Sequence, residues 1–377
     1  MLLNIDRARA LMEQHGLDAI LLGHPNNFIY ATDYLVPSTF SFLDRPFLAL
    51  LFRDPAREAV AIVPSWDFDD MRRRSWIRRV IGYTEYATDQ DGDLVANWRV
   101  ALDHALAGPA RSLRLGVEER YLPLWISREV VGHPAVGAVV DATSIIRDIR
   151  AVKTPEEILR CRRAAEIMET AVEEMFASLH DGITEREAAR VYASAVSRQG
   201  GENIANFVLG FGPASAFSHC IPEDRALRPG DVVRFDLGAR YMGYHADTAV
   251  SRFWRGPTAE QARIYGAVLD SQRAAAALLR PGVPVAELYR AAIATAREVL
   301  PRFRMEHVGH GIGVEHHENP PLIGSGDVVL EANMVINVET LFLDPIHGGF
   351  AVEDTYLITP SGAEQWTGFD RNPTVGP

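Results

Sequence analysis

Cysteine is nearly absent from this sequence: Cys161 and Cys220 are the only two in 377 residues. Two cysteines make no disulfide framework, so a reducing compartment is the default. Long apolar runs are missing as well. No stretch approaches the roughly 20 apolar residues of a membrane-spanning helix. The opening Met1-Leu-Leu-Asn-Ile-Asp6 has no basic segment followed by an apolar one. These absences predict a cytoplasmic protein with no membrane partner. Positive charge is in the minority: 38 lysines and arginines face 50 aspartates and glutamates, a formal charge of −12. Such a surface weighs against nucleic acid and anionic lipid as partners. No phosphate-binding loop occurs in the first 150 residues. The Arg72-Arg-Arg74 and Arg78-Arg79 clusters read as a solvated face.

What is present is an ordinary globular composition, 47% apolar, on a chain too long for one core. Two domains follow. Residues 1–150 alternate helix and strand signals. Asn4 can cap a helix that Gly16 ends. Buried strands are predicted at Asp18–Leu22, Phe47–Phe52, Ala59–Val63, Leu113–Val117 and Ala138–Val140, and helices near 65–74, 93–107 and 122–131. That alternation gives an α/β domain. The boundary falls near Arg150, and residues 151–377 form the second domain. Thr154-Pro155-Glu-Glu157 is a capped helix start, and Cys161 lies on the buried stripe that follows. A second capping box is Thr184 with Glu187. Thr258 with Gln261 opens another helix, and one more runs near 285–299. Strands near 206–209, 232–237, 334–343 and 350–358 complete an α+β domain with helices on one side of a mostly antiparallel sheet, with a helix–helix–strand duplication as an option.

The chemistry lies between Val232 and Glu353. Asp236 and Asp247 sit eleven residues apart around a turn at Met242-Gly243. Neighbouring antiparallel strands would send both carboxylates to one side. Carboxylates buried together repel unless cations neutralise them. Glu339, Glu353 and His310 complete an oxygen-rich set with one imidazole, which suits manganese, iron, cobalt or zinc. Each residue alone has a bland role, as a turn cap, a glycine-loop histidine or a solvated pair. Their apolar frames, Phe235-Asp-Leu, Asn337-Val-Glu and Ala351-Val-Glu, demand compensation. The Gly309-His-Gly-Ile-Gly313 run has no strand-to-helix context for a dinucleotide.

On these motifs the chain resembles the creatinase, prolidase and aminopeptidase P family. The resemblance covers nearly the whole chain. It implies an N-terminal creatinase-like α/β domain followed by an α+β catalytic domain of the pita-bread fold. It further implies that Asp236 binds one divalent ion, that Asp247 and Glu353 bridge two, and that His310 and Glu339 bind the other. His219, in Ser218-His-Cys-Ile-Pro, matches the family's pocket histidine, and His317 the histidine after the glycine-rich loop. Asn27 and Tyr30 match an Asn-x-x-Tyr pattern of the N-terminal domain. The implied activity is that of a metal-dependent hydrolase of the Xaa-Pro dipeptidase or aminopeptidase type. A metal-bridging hydroxide would attack a peptide or amide bond, Glu339 would shuttle a proton, and His219 and His317 would donate hydrogen bonds. His316 and His245 read as peripheral.

The sequence departs from the peptidase pattern at three positions. Ala249 and Val250 stand where peptidases have threonine and arginine, and Ala351 where many have arginine. Arg252 is the nearest replacement in sequence. Other readings of the same fold are a creatinase-like or ectoine-hydrolase-like amidohydrolase, a sulfoniopropionate lyase-like enzyme, and a non-catalytic binding module. The resemblance also implies a homodimer, whose contact would use the charge-poor segment Tyr34–Leu43.

Overall fold

The computed structural model describes residues 1–35, 45–85, 93–108 and 112–376, with the backbone alone at 203–206. The chain forms two compact units, Met1–Arg150 and Ala151–Pro377.

The first unit contains strands β1 (Ala19–Leu22), β2 (Leu48–Phe52), β3 (Val60–Pro64), β4 (Arg79–Tyr83), β5 (Leu113–Val117) and β6 (Val136–Asp141) in the order β4-β3-β2-β1-β5-β6. Every residue of β1, β2 and β3 is buried, as continuous apolar runs covered on both faces should be. Helices α1 (Ile5–Gln14), α2 (Pro25–Thr32), α3 (Phe68–Arg74), α4 (Leu94–Leu106), α5 (Leu124–Gly132) and α6 (Thr143–Ala151) flank the sheet. The Asn4 side chain caps α1, accepting from the Arg7 N–H.

Three elements escaped the sequence pattern: α2, α6 and β4. Helix α2 is buried on nearly every side and so shows no amphipathic stripe. Strand β4 begins inside the arginine cluster, and Arg79 donates to the His104 carbonyl. Arg72, Arg73 and Arg74 are exposed, the last two paired with Asp70.

The Asn-x-x-Tyr motif is built into this unit's framework. Asn27 donates to Glu118 and accepts from Arg150. Glu118 also takes the backbone N–H of His24 at 2.8 Å. The Tyr30 hydroxyl accepts the Asn4 N–H at 3.0 Å.

The second unit begins with α7 (Pro155–Ala177) and α8 (Glu185–Arg198). Both start in complete capping boxes, Thr154 with Glu157 and Thr184 with Glu187. Strands β7 (Asn203–Phe211), β8 (Val232–Tyr241) and β9 (Tyr244–Trp254) follow, then α9 (Ala259–Ala276) and α10 (Val285–Val299). Strands β10 (Gly309–Gly311), β11 (Glu318–Pro321), β12 (Val335–Asp344), β13 (Gly348–Thr359), β14 (Gly362–Gln365) and β15 (Thr374–Val375) end the chain. Their sheet runs β11-β10-β12-β13-β9-β8-β7, with β14 on β13 and β15 on β9.

Two similar halves make the sheet. Helices α7 and α8 pack on β7, β8 and β9 through Met168, Val172, Phe235 and Val250. Helices α9 and α10 pack on β12 and β13 through Val268, Leu288, Val338 and Val352. The halves join where Val250 pairs with Val352.

Strand alternation does the rest. Residues 235, 237, 246, 250, 338 and 352 face the helices. Residues 236, 247, 339 and 353 therefore face the other way.

Candidate metal centre

Backbone geometry fixes the carboxylate register. The β8–β9 hairpin closes through Met242 and Gly243, both at positive φ (45° and 84°), with Tyr241 opposite Tyr244. A two-residue turn of this kind sets the pairing, so Asp236 lies opposite Ala249 and Asp247 opposite Gly238. On the other hairpin Glu339 lies directly opposite Glu353. His310 sits on β10, opposite Asn337 of β12. The glycine-rich run reads as a loop in the sequence, yet it holds a short strand. Gly309 explains why: at φ 142° its backbone passes so close to β12 that a Cβ would stand 2.0 Å from the Asn337 carbonyl oxygen.

His310 is buried. Its Nδ1 lies 3.0 Å from the Gly311 carbonyl, which leaves Nε2 free to ligate. Nε2 is 3.7 Å from Glu353 Oε1, 3.8 Å from Glu339 Oε1 and 3.9 Å from Asp247 Oδ2. Ligand atoms of Asp247, His310 and Glu353 lie within 4.8 Å of one another, a span that one cation fills. Supporting bonds hold the set. Asn337 donates to Glu353 Oε1 at 2.7 Å, and Thr355 donates to Asn337 at 2.9 Å. Thr248 donates to the Glu353 carbonyl at 2.8 Å.

The electrostatics are those of a site where carboxylates outnumber the positive charges. Asp236 is pushed up to about 8 by burial, then by Asp247 and Glu339. Burial also carries Glu353 well above the usual carboxylate range, with Asp247 and Glu339 adding to it. Asp247 and Glu339 feel the same burial, but imidazoles outweigh it. His316 and His310 hold Asp247 below its ordinary value, and His307 and His310 hold Glu339 below its own. Asp247 Oδ1 is buried with no hydrogen-bond partner. An orphaned carboxylate oxygen, two carboxyls driven toward protonation and a free imidazole nitrogen fit divalent cations.

All five residues expected to hold metal, Asp236, Asp247, His310, Glu339 and Glu353, come to this one place. Four of them line a cleft of about 870 Å³ together with His219 and His317, while His310 lies buried behind it. His219 is exposed at the cleft. His317 stacks on His310, ring centroids 3.7 Å apart.

Two further histidines bear on the site. His316 reads as peripheral, yet its Nε2 lies 2.5 Å from Asp247 Oδ2. Burial pulls its pKa down, and Asp247 more than restores it, to about 9. Adjacent residues on a strand face opposite ways, but His316 and His317 end the bent segment between β10 and β11 and both reach the cleft. No motif marks His307, yet its Nδ1 stands 3.3 Å from Glu339 Oε1. His245 stays behind the site, its backbone N–H donating to the Gly313 carbonyl at 2.8 Å.

Arg252 is a correction. It does share a face with Val250, and that face is the helix-packed one. Its guanidinium lies 4.2 Å from the Phe176 ring centre and donates to the Asp370 carbonyl. A side chain at 250 is equally remote from the cleft. Position 351 is on the cleft's side of the sheet, where Ala351 offers no cation. Among the described residues the arginines that line the cleft are Arg302 and Arg304, both exposed. No sequence pattern marks them, because they stand in an irregular segment before β10.

Comparison with known proteins follows the same division of the chain. The family model for metallopeptidase family M24 matches residues 160–360, and that for the creatinase/prolidase N-terminal domain matches residues 4–152. A Xaa-Pro dipeptidase of Pyrococcus furiosus is 34% identical over 233 residues, 60% of this chain and 66% of that protein. A Xaa-Pro dipeptidase of Pyrococcus horikoshii is 31% identical over 263 residues, 68% of this chain and 74% of that protein. The solved structure of the prolidase from Pyrococcus furiosus superposes with a TM-score of 0.78 at 26% identity, covering 96% of this chain and 100% of that one.

Proposed function

Because the chain belongs to metallopeptidase family M24, we propose that this metallopeptidase-type hydrolase acts as a dipeptidase on Xaa-Pro bonds, using two divalent ions. The observation that carries the reading is the convergence of four strand-borne carboxylates and His310 on one cleft, with an Asp247 oxygen left without a partner. In this reading Asp236, Asp247, His310, Glu339 and Glu353 would together hold the two ions. Manganese, cobalt, zinc and iron all suit oxygen ligands with one imidazole. Bound there, the ions supply Lewis acidity and an activated water. The protein's own groups do the remaining work. Glu339, 3.3 Å from His307 Nδ1, receives and returns a proton. His219 and His317 face the cleft and donate to the substrate carbonyl oxygen as charge grows on it. Leu341 and Met305 give the cleft an apolar wall for the substrate side chain.

The substrate class follows that of the Xaa-Pro dipeptidases the chain resembles, the whole set of carboxylates favours it over the metal-free creatinase-like and binding-module readings, and dipeptide cleavage separates it from the other amidohydrolase and lyase readings. The proposal includes a homodimer and a cytoplasmic location. Both cysteines are buried and unpaired, which supports a reducing compartment. No helix among the described residues is long and apolar enough to cross a membrane. The suggested dimer segment lies largely outside the described residues; Tyr34 itself is buried, its hydroxyl 3.2 Å from Asp70. The test is a panel of Xaa-Pro and Xaa-Ala dipeptides with metal-reconstituted protein. Faster turnover of the proline series supports the proposal; cleavage of neither series rejects it.

A further inference from the structure

Of the 38 lysines and arginines in this chain, one is lysine: Lys153. Its ammonium is fully buried and lies 2.8 Å from Glu318 Oε2, itself buried. Burying an ammonium is costly unless it is paired and hydrogen-bonded. A guanidinium is the more weakly hydrated cation and usually preferred in buried pairs. Arg150 and Arg234 show that this protein buries guanidiniums elsewhere. At 153 a compact point charge stands where every other basic position in the chain carries a fork.

The surroundings explain what that charge does. Glu318 is the first residue of β11 and directly follows His317. Its second oxygen accepts the Glu315 N–H at 2.9 Å. Gly313 is packed so tightly on the same carboxylate that a Cβ there would meet it at 2.8 Å. Glu318 thus ties both ends of the bent segment that presents His316 and His317. Lys153 is itself fixed: its N–H donates to the Asn333 carbonyl at 3.0 Å, and the capping box of α7 begins one residue later. Glu157 of that box lies in the same cluster and accepts from the Tyr244 hydroxyl at 3.1 Å. Burial raises its pKa to about 8, with Lys153 opposing the rise.

We infer that Lys153 is a positioning residue, whose buried ammonium locks Glu318 and thereby holds His316 and His317 at the cleft. The lock does not depend on which bond is cleaved; its effect on turnover rests on the proposed hydrolysis.

The test uses the chain's single lysine. Reductive methylation of the native protein should label the N-terminal amine and spare Lys153, with both labelled after denaturation. Lys153→Met removes the cation paired with the buried Glu318. Hydrogen exchange across 311–321 should rise there while α7 and β13 stay protected. Turnover of the best substrate should fall roughly ten- to a hundredfold with bound metal unchanged. Lys153→Met with Glu318→Gln removes both charges and should restore much of the protection and the rate. Lys153→Arg should resemble Lys153→Met. If Lys153→Met does not fold, Glu318→Gln alone must still raise exchange in 311–321. Native labelling of Lys153, unchanged exchange in that segment, or Lys153→Arg behaving as wild type would overturn the inference. Absence of dipeptide cleavage in the parent protein would reject the proposed substrate, and the labelling and exchange results would still decide the lock.

Discussion

The cluster around Lys153 and the cluster around Asp247 are both buried and both rich in carboxylate, and only the first contains its own permanent cation. Lys153, Glu318, Glu157 and Tyr244 satisfy one another. Arg150, Asn27 and Glu118 do the same in the first unit. Around Asp247 four carboxylates gather beside imidazoles, one Asp247 oxygen has no hydrogen-bond partner, and Asp236 and Glu353 are driven toward protonation. A self-neutralised cluster builds structure. A cluster with carboxylate in excess marks where charge arrives from outside.

The comparison breaks most visibly at His310. His310→Ala takes away the one imidazole nitrogen proposed for the ion pair and disturbs no charge elsewhere. Activity should drop about a hundredfold or more, with far-ultraviolet circular dichroism unchanged. Full turnover at saturating metal would remove His310 from the site.

A smaller effect is expected on the cleft wall. Arg302 and Arg304 are the cations available there for a substrate carboxylate, since Arg252 is turned away. Arg302→Met with Arg304→Met should raise KM for a dipeptide acid by roughly ten- to a hundredfold and leave the corresponding amide nearly unchanged. Equal changes for acid and amide would show that neither arginine reads the carboxylate.

The smallest effect tests the charge count of the Lys153 cluster. Glu157 is raised to about 8 by burial, against the effect of Lys153, with Glu318 adding to the rise. A group raised in the folded state stabilises fully below its unfolded pKa, and the stabilisation is lost as pH rises through the folded value. Glu157→Gln keeps the capping box. Melting temperatures of wild type and Glu157→Gln should therefore be close below about pH 4.5, with the variant gaining ground toward pH 8. A difference independent of pH would mean that Glu157 is already ionised.

Much of this was legible in the sequence, because local physics wrote it there. Capping boxes at Thr154, Thr184 and Thr258 are all formed. Asp236, Glu339 and Glu353 were visible as acids inside apolar strand frames, and Asp247 by its spacing from Asp236 across the Met242-Gly243 turn. What escaped depends on tertiary placement. Helix α2 is buried all round, so no periodicity marks it. His316 needed the bend after β10 to face the cleft beside its neighbour. Arg252 obeyed strand alternation, but which face holds the cleft is decided by where the helices pack. Lys153 and Glu318 are 165 residues apart, and no local pattern joins them.

The most direct measurement is metal content. Protein stripped with chelator, reconstituted with manganese or cobalt and freed of excess should carry about two ions per chain by elemental analysis, and Glu353→Gln should carry fewer. Wild-type protein that retains no transition metal after reconstitution would contradict the division between the two clusters on which the proposed function stands.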